Sequence, residues 1–233
     1  MIKEFKEDRR RFGTLKACQS LLMWGLHSRL GLDFYLVTLR PLGEESYDLY
    51  KPRSDYEIKV IEPETLIEAS HDPELDLDED FVRRAIANQD VITGAFDGKK
   101  LVAYTCATSV SAPHDEWFSV QIPKDFRYGY KAFTHPDHRG KRLVYSVAHL
   151  RERTQIFLER GSKYHMSFVA MWNLPSLQAV WRTGVNQPIG WVLNFHWRKR
   201  PVSLRTPAVR KTGFRFVPAT QPRDPAETDN LSG

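Results

Sequence analysis

One short loop in the middle of the chain carries the residues best suited to binding an anion. It reads Arg139-Gly-Lys-Arg-Leu-Val144 and lies between a predicted strand and a predicted helix. A glycine-containing loop before a helix presents backbone N–H groups without helical acceptors, and the helix dipole adds positive potential there. Lys141 and Arg142 would add to this positive potential, although an ordinary surface turn often has the same composition. The spacing matches neither a Walker loop nor a dinucleotide-binding fingerprint.

Other reactive residue types are arranged less favourably. His135, Asp137 and His138 share one short loop without a cysteine or a distant acid, so no metal site is predicted. Cys106 lies among apolar neighbours in a predicted strand, where a buried, inert thiol is expected. No Gly-x-Ser-x-Gly sequence is present, so the pattern does not indicate a hydrolase nucleophile.

Hydrophobic periodicity and turn residues predict the elements that position the loop. Helical spacing over 5–30 and a strand at 34–39 form an N-terminal extension, assigned to residues 1–50. Residues 51–218 form the main domain, and 219–233 a disordered tail. The order of elements in the main domain predicts a mixed α/β sheet. The expected strands are 56–61, 91–96, 101–107, 127–134, 164–171, 189–197 and 214–217, with helices at 78–89, 143–160 and 175–183.

In this order of elements, two segments carry a family resemblance. His135-Pro-Asp-His-Arg-Gly-Lys141 follows the fourth core strand, and Asn173-Leu-Pro-Ser176 opens the later helix. Residues 56–217 therefore resemble the GNAT N-acetyltransferase superfamily. The resemblance implies a mostly antiparallel central sheet flanked by helices, and acetyl-CoA or another acyl-CoA as the acyl donor.

In that family the loop follows Gln/Arg-x-x-Gly-x-Gly/Ala, and its amides bind the pyrophosphate of the cofactor. Arg139 fills the first position, and Gly140, Lys141 and Leu143 fill the free ones. Arg142 and Val144 depart from the pattern, because they stand where glycine and glycine or alanine are expected. The Arg142 side chain would obstruct a phosphate or fold outward and grip it. Val144 crowds the first helical turn but leaves its N–H available.

The resemblance also implies how catalysis would proceed. The amine attacks the thioester directly, and the strand before the loop splays from its neighbour. The amides of 131–134, including those of Phe133 and Thr134, would line the acyl group and polarise its carbonyl. Asn173 and Ser176 would contact the cofactor arm.

The tyrosine that the family often supplies as an acid is replaced by Val180, seven residues after Asn173. Tyr130 is therefore the first candidate for the catalytic acid, and His196 is a candidate base. The structural alternatives are a half-buried strand tyrosine and an exposed histidine at a sheet edge.

Composition sets the remaining expectations. The chain has 233 residues, 41% of them hydrophobic, and a formal net charge of +5. Residues 44–90 hold 15 acids and 5 basic residues, whereas 196–215 holds seven Arg or Lys and no acid. A basic segment attracts nucleic acid, anionic lipid or a phosphate-rich small molecule, or it guards a strand edge, and charge alone does not choose among them. It would also suit an acidic acyl carrier protein, and nucleic acid is the less expected partner. No apolar run approaches the roughly 20 residues of a membrane helix, and the charged N-terminus is no signal peptide.

A cytoplasmic, acyl-CoA-dependent N-acyltransferase is therefore predicted. Its acceptor would be a primary amine on a small molecule, protein or peptide, and the N-terminal extension could form a homodimer. The alternatives are an enzyme that uses a long-chain donor or acyl carrier protein, and a binding module that has lost its chemistry.

Overall fold

Eleven strands and eight α-helices make up the described part of the chain. In this computed structural model that part comprises residues 2–43, 55–183, 186–198 and 200–219. The strands are β1 (Asp33–Pro41), β2 (Glu57–Val60), β3 (Val91–Asp97), β4 (Lys100–Thr108), β5 (Ser111–Pro113), β6 (Phe118–Gln121), β7 (Phe126–Thr134), β8 (Tyr164–Ala170), β9 (Gln187–Trp197), β10 (Arg200–Arg205) and β11 (Arg215–Pro218). The helices are α1 (Ile2–Phe12), α2 (Thr14–Leu30), α3 (Pro63–Ala69), α4 (Glu79–Ala87), α5 (Leu143–Ala148), α6 (Arg151–Glu159), α7 (Leu174–Thr183) and α8 (Pro207–Lys211).

Eight of the strands form one sheet in the order β10-β9-β1-β8-β7-β4-β3-β2. Every neighbouring pair is antiparallel except β7 and β8, which run parallel. Leu66 of α3 and Phe81 of α4 pack on Tyr104 of β4, while Leu143 of α5 packs on Ala103 from the opposite face. The predicted fold class is confirmed: a mixed, mostly antiparallel sheet flanked by helices.

Strand β1 comes from the segment assigned to the N-terminal extension, and it lies inside the sheet between β8 and β9. Leu36 of β1 packs with Leu174 and Leu177 of α7. The boundary at residue 50 lies outside the described residues, as do 220–233 of the predicted tail. The division into an extension, a main domain and a tail stays a prediction, as does a homodimer.

A second sheet, β11-β6-β5, covers one face of the first. The two share an aromatic core in which Phe118, Phe214 and Phe216 meet Tyr35 and Tyr128. The sequence pattern does not predict β5, β6 or β10. The first two have only three and four residues, too few to show a period of two. Strand β10 is an edge strand within the basic segment 196–215, in keeping with the edge-guarding alternative.

Two predicted helices are interrupted. The helical stretch 5–30 breaks at Gly13, whose φ of 88° leaves helical conformation between α1 and α2. The predicted helix 143–160 divides into α5 and α6, because Leu150 is extended with φ −60° and ψ 127°. The expected helix stop at Gly184 lies outside the described residues.

Candidate functional site

The site predicted from the sequence lies where β7 and β8 part. Their parallel pairing covers only 126–128 of β7 and 164–166 of β8. Beyond these residues β7 stays paired with β4, and β8 stays paired with β1, so the facing strand edges separate. The splay that the family resemblance implies is therefore present, and a cleft of about 1080 Å³ opens there. The residues of these two strands that line it are Tyr128–Ala132 and Thr134 of β7, and His165 and Ser167–Val169 of β8.

A β-bulge bends β7 inside this cleft. Cys106 of β4 pairs with Tyr130 and Thr105 pairs with Ala132, which leaves Lys131 as the extra residue. Lys131 has φ of +42°, a left-handed conformation that a lysine adopts at a cost. A bulge re-aims the backbone beside it. The bulge thus falls at the start of the segment 131–134, for which the resemblance implies an acyl-binding role.

The loop 139–144 forms the other end of the cleft. The N–H groups of 140–144 have no hydrogen-bond acceptor within the described residues. Arg142 precedes α5 with φ of +62°, the left-handed region that favours glycine. The backbone thus adopts a glycine-like conformation at the position where the family pattern has glycine, although the residue is arginine. Its side chain is exposed and lines the cleft.

The charges that line the cleft have one sign. Six Lys or Arg side chains face it, and none of its described lining residues is an acid. Burial and the neighbouring arginines lower the pKa of His165 well below its usual value, so this ring is neutral at pH 7. The arrangement suits a ligand carrying several negative charges. The six cationic residues are Arg11, Arg84, Lys131, Arg139, Arg142 and Arg153.

Tyr130 lies on the cleft wall directly before the bulge. Its hydroxyl donates a hydrogen bond to Oδ2 of Asp90, which follows α4. Burial raises the pKa of Tyr130, so the phenol keeps its proton at neutral pH. Burial also raises the pKa of Asp90, against the opposing effect of hydrogen bonds from Tyr130, Thr108 and Asn88. The sequence analysis singled out Tyr130 but not Asp90.

Asn173 and Ser176, the two predicted cofactor contacts at the start of α7, also line the cleft. Oδ1 of Asn173 accepts a hydrogen bond from the backbone N–H of Ser176 at 3.2 Å. Asn173 therefore caps the first turn of α7, as its residue type favours. Val180 is buried against Leu36 and Leu177, so the structure offers no hydroxyl at the position of the family's tyrosine.

Three other predicted site residues do not line the cleft. The Nζ of Lys141 lies 2.6 Å from the hydroxyl of Tyr56, to which it donates. Phe133 stacks on Tyr104 at 5.5 Å, although its neighbour Thr134 lines the cleft. His196 stacks on Trp117 at 4.9 Å, away from the cleft.

The structure instead brings His114, in the loop between β5 and β6, to the cleft. Its Nε2 lies 2.8 Å from the hydroxyl of Tyr35. Burial lowers the pKa of His114, so the neutral ring carries one nitrogen that can accept a proton. No spacing in the sequence connects His114 with β7, so sequence reasoning could not find it.

Two other kinds of feature are absent from the described residues. They contain no group of three His, Cys, Asp or Glu side chains arranged to hold a metal ion. Among those same residues, no helix is long and apolar enough to cross a membrane.

The known proteins to which the chain is similar are solved structures of low sequence identity. No protein-family model and no curated protein matches it. Solved structures similar to it include a tandem GNAT protein from the clavulanic acid biosynthesis pathway, with 15% identity, a TM-score of 0.46, and coverage of 86% of this chain and 59% of that one. A GCN5-related N-acetyltransferase from Kribbella flavida has 12% identity, a TM-score of 0.45, and coverage of 78% and 61%.

A functionally unknown conserved protein from Staphylococcus epidermidis has 6% identity, a TM-score of 0.42, and coverage of 73% and 64%. The chain therefore spans less than two thirds of the length of each of these three neighbours. GNAT structures are among the solved structures that the chain resembles.

Proposed function

We propose that the protein is an acyl-CoA-dependent N-acyltransferase, with acetyl as the simplest acyl group. One observation carries this proposal: a long cleft between two splayed strands, lined by six cationic side chains and no acidic one among its described residues. A CoA thioester is an elongated polyanion, and it supplies an acyl group activated for attack by an amine.

The loop 139–144 fits the phosphates of such a donor. Consecutive backbone N–H groups that lack acceptors form an anion-binding concavity. Arg139 and Arg142 are exposed beside them and can add charge-assisted hydrogen bonds. Lys141 contributes its positive charge from the Tyr56 side. The absence of glycine at position 142 is offset here in two ways. The backbone adopts the glycine-like conformation, and the guanidinium contacts the phosphate in place of the close backbone approach that glycine would allow.

The open edges of β7 and β8 fit the arm of the donor, since unpaired strand edges offer backbone hydrogen bonds to an extended ligand. Asn173 and Ser176 lie along the same cleft. The bulge at Lys131 turns the backbone of 131–134, and an N–H of this segment would polarise the acyl carbonyl. Holding both reactants side by side then supplies much of the rate.

Proton transfer completes the reaction. An amine must be neutral to attack, and the departing sulfur needs a proton. Val180 cannot provide it, whereas Tyr130 keeps its proton at neutral pH and lies on the cleft wall. We therefore propose Tyr130 as the acid. His196 is not proposed as the base, because it stacks on Trp117 outside the cleft.

Calorimetric titration with acetyl-CoA, CoA and a long-chain acyl-CoA tests the donor site. Arg139→Ala/Arg142→Ala should weaken binding roughly 10- to 100-fold, because two charge-assisted contacts to phosphate are lost. The matched control is Arg200→Ala/Arg210→Ala, which removes two exposed charges from β10 and α8, outside the cleft. Its affinity should equal that of the unchanged protein, so any general effect of net charge is excluded.

The same titration separates the alternatives. Tighter binding of the long-chain thioester indicates that the natural acyl group is long. Binding of a thioester without turnover on any amine indicates a binding module that has lost its chemistry. If none of the three ligands binds, the proposed function is wrong, and an acyl carrier protein becomes the next donor to test.

A further inference from the structure

A second cavity opens beside the cleft on the other side of Tyr130. It has a volume of about 410 Å³ and lies between α4 and the hairpin of β5 and β6. Its polar lining includes Asn88, Asp90, Ser111 and Ser119. We call it the Asp90 pocket. It shares four lining residues with the cleft, so the two cavities adjoin: Phe81, Arg84, Pro113 and Tyr130.

The Asp90 pocket differs from the cleft in its charge. Asp90 is the one acid among the described lining residues of the two cavities. Arg84 stands on the shared rim, where its guanidinium is exposed and donates to the backbone oxygen of Asp80 at 3.4 Å. Water screens an exposed charge far more than a half-buried one. An ammonium group is therefore attracted to Asp90 and repelled by the cationic cleft.

Asp90 is held in a fixed position. Asn88 Nδ2 donates to its Oδ1 at 2.7 Å, and the same amide reaches Oγ1 of Thr108 at 3.1 Å and the carbonyl of Ser111 at 2.8 Å. Tyr130 donates to the other carboxylate oxygen. An ionised carboxylate has about four acceptor positions, and Asn88, Tyr130 and Thr108 take three of them, so room remains for one more donor.

We propose that the Asp90 pocket binds the acceptor, a cationic primary amine, and that Asp90 and Tyr130 together transfer its protons. This inference rests on the proposed function. An ammonium group donates to the remaining acceptor position of Asp90, with its carbon chain along Phe81. From there the nitrogen faces Tyr130 and the bulge, where the acyl carbon of the donor would lie.

The step balances in protons and electrons. Asp90 accepts a proton from the ammonium nitrogen, whose freed electron pair forms the N–C bond to the acyl carbon. The C–S bond breaks, and its electron pair goes to sulfur. Tyr130 gives its proton to that sulfur and regains one from protonated Asp90. Asp90 then takes the second nitrogen proton and releases it to water. The sum is an amide, a thiol and one proton.

The test is thiol release from acetyl-CoA with n-butylamine, 1,4-diaminobutane and glycine as acceptors, in the full chain. The amines carrying net positive charge, especially the diamine, should react faster than glycine, whose carboxylate faces Asp90 unfavourably. Asp90→Asn should lower kcat/KM for the amine roughly 10²-fold, as expected when a general base is lost. The KM for acetyl-CoA should be unchanged, a separation that a general loss of structure would not give.

Three further variants keep the test decisive. Tyr130→Phe retains the ring and should lower kcat with little change in the KM for the amine. Asp97→Asn, at an exposed position at the end of β3, is the matched control and should leave the rates unchanged. His114→Asn removes the other candidate base at the cleft and should have a smaller effect than Asp90→Asn.

The outcomes separate this inference from the proposed function. If acetyl-CoA does not bind, both fail. If acetyl-CoA binds but none of the three amines is acylated, the inference is wrong while the donor site stands. It is also wrong if Asp90→Asn reacts as fast as the unchanged protein, or if His114→Asn abolishes the reaction and Asp90→Asn does not.

Discussion

The cleft and the Asp90 pocket meet at one side chain yet have opposite electrostatic character. The cleft carries six cationic residues, whereas the Asp90 pocket carries the one described acid that lines either cavity. Tyr130 belongs to both walls and is hydrogen-bonded to that acid. Two substrates of opposite charge would thus be sorted into neighbouring cavities by the sign of the potential, and they would meet beside a group that can move a proton between them.

The largest expected effect comes from reversing the charge of the Asp90 pocket alone. Ser111 is exposed on the pocket lining, and Ser111→Arg would place a guanidinium beside Asp90. The new cation occupies the volume and the carboxylate that the amine needs. We expect kcat/KM for 1,4-diaminobutane to fall roughly 10²-fold or more, the scale of losing one essential acid–base group.

In the Ser111→Arg variant, calorimetry with acetyl-CoA should give the affinity of the unchanged protein, since Ser111 does not line the cleft. An equal loss of donor affinity would show that the two cavities are not electrostatically separate, and the comparison between them would break down.

A smaller effect is expected at Arg142, where the cleft combines backbone strain with charge. A non-glycine residue in the left-handed region costs about 1–2 kcal/mol. Glycine removes this cost, but its greater freedom in the unfolded chain offsets part of the gain in stability. Arg142→Gly should therefore raise the free energy of unfolding by about 0.5–1 kcal/mol, measured by urea denaturation. It should also weaken acetyl-CoA binding about tenfold, the effect of one charge-assisted contact.

Arg142→Ala is the matched variant, because it removes the guanidinium but keeps the strained φ. It should lose the same affinity without gaining stability. If both variants bind acetyl-CoA as tightly as the unchanged protein, Arg142 points away from the donor, and the cationic lining matters less than the open backbone.

The sequence predicts part of the cleft but does not predict the Asp90 pocket. The loop 139–144 could be predicted because its features are local: a glycine, adjacent basic residues, and the boundary between a strand and a helix. Tyr130 is predicted because Val180 replaces the tyrosine that the family often supplies, so the acid has to come from elsewhere. The parallel pairing of β7 with β8 and the position of β1 between β8 and β9 depend on contacts between segments far apart in the chain, which a single sequence does not display.

Asp90 and the bulge show why the rest of the site was missed. Asp90 closes an acidic segment whose charges have an adequate explanation as helix-capping groups, and nothing in its neighbourhood connects it with Tyr130, 40 residues later. Lys131 is not a residue type that favours a positive φ, so the bulge leaves no signal. His196 stacks on Trp117 and does not line the cleft, and the course of the loop that holds Trp117 could not be predicted from the sequence.

The smallest expected effect is that of Asp90 on the stability of the protein as pH changes, and it tests the charge contrast between the two cavities. Burial raises its pKa in the folded protein, so the folded state favours the protonated carboxyl more than the unfolded chain does. The stabilisation associated with this group is fully present below the unfolded pKa of about 3.9. It is lost as pH rises through the higher folded pKa. The ionisable groups near it are the Arg160 guanidinium, which is charged, and the Tyr130 phenol, which keeps its proton.

Asparagine carries no charge at any pH, so Asp90→Asn should gain stability relative to the unchanged protein as pH rises from acid to neutral. Urea denaturation of both proteins across that range measures the difference, with Asp97→Asn as the exposed control that shows no such trend. A trend of the opposite sign would mean that Asp90 is stabilised as a carboxylate by the folded protein, for instance through Arg160. Asp90 would then be a structural acid already neutralised by its surroundings, and the charge contrast between the two cavities would lose its negative member.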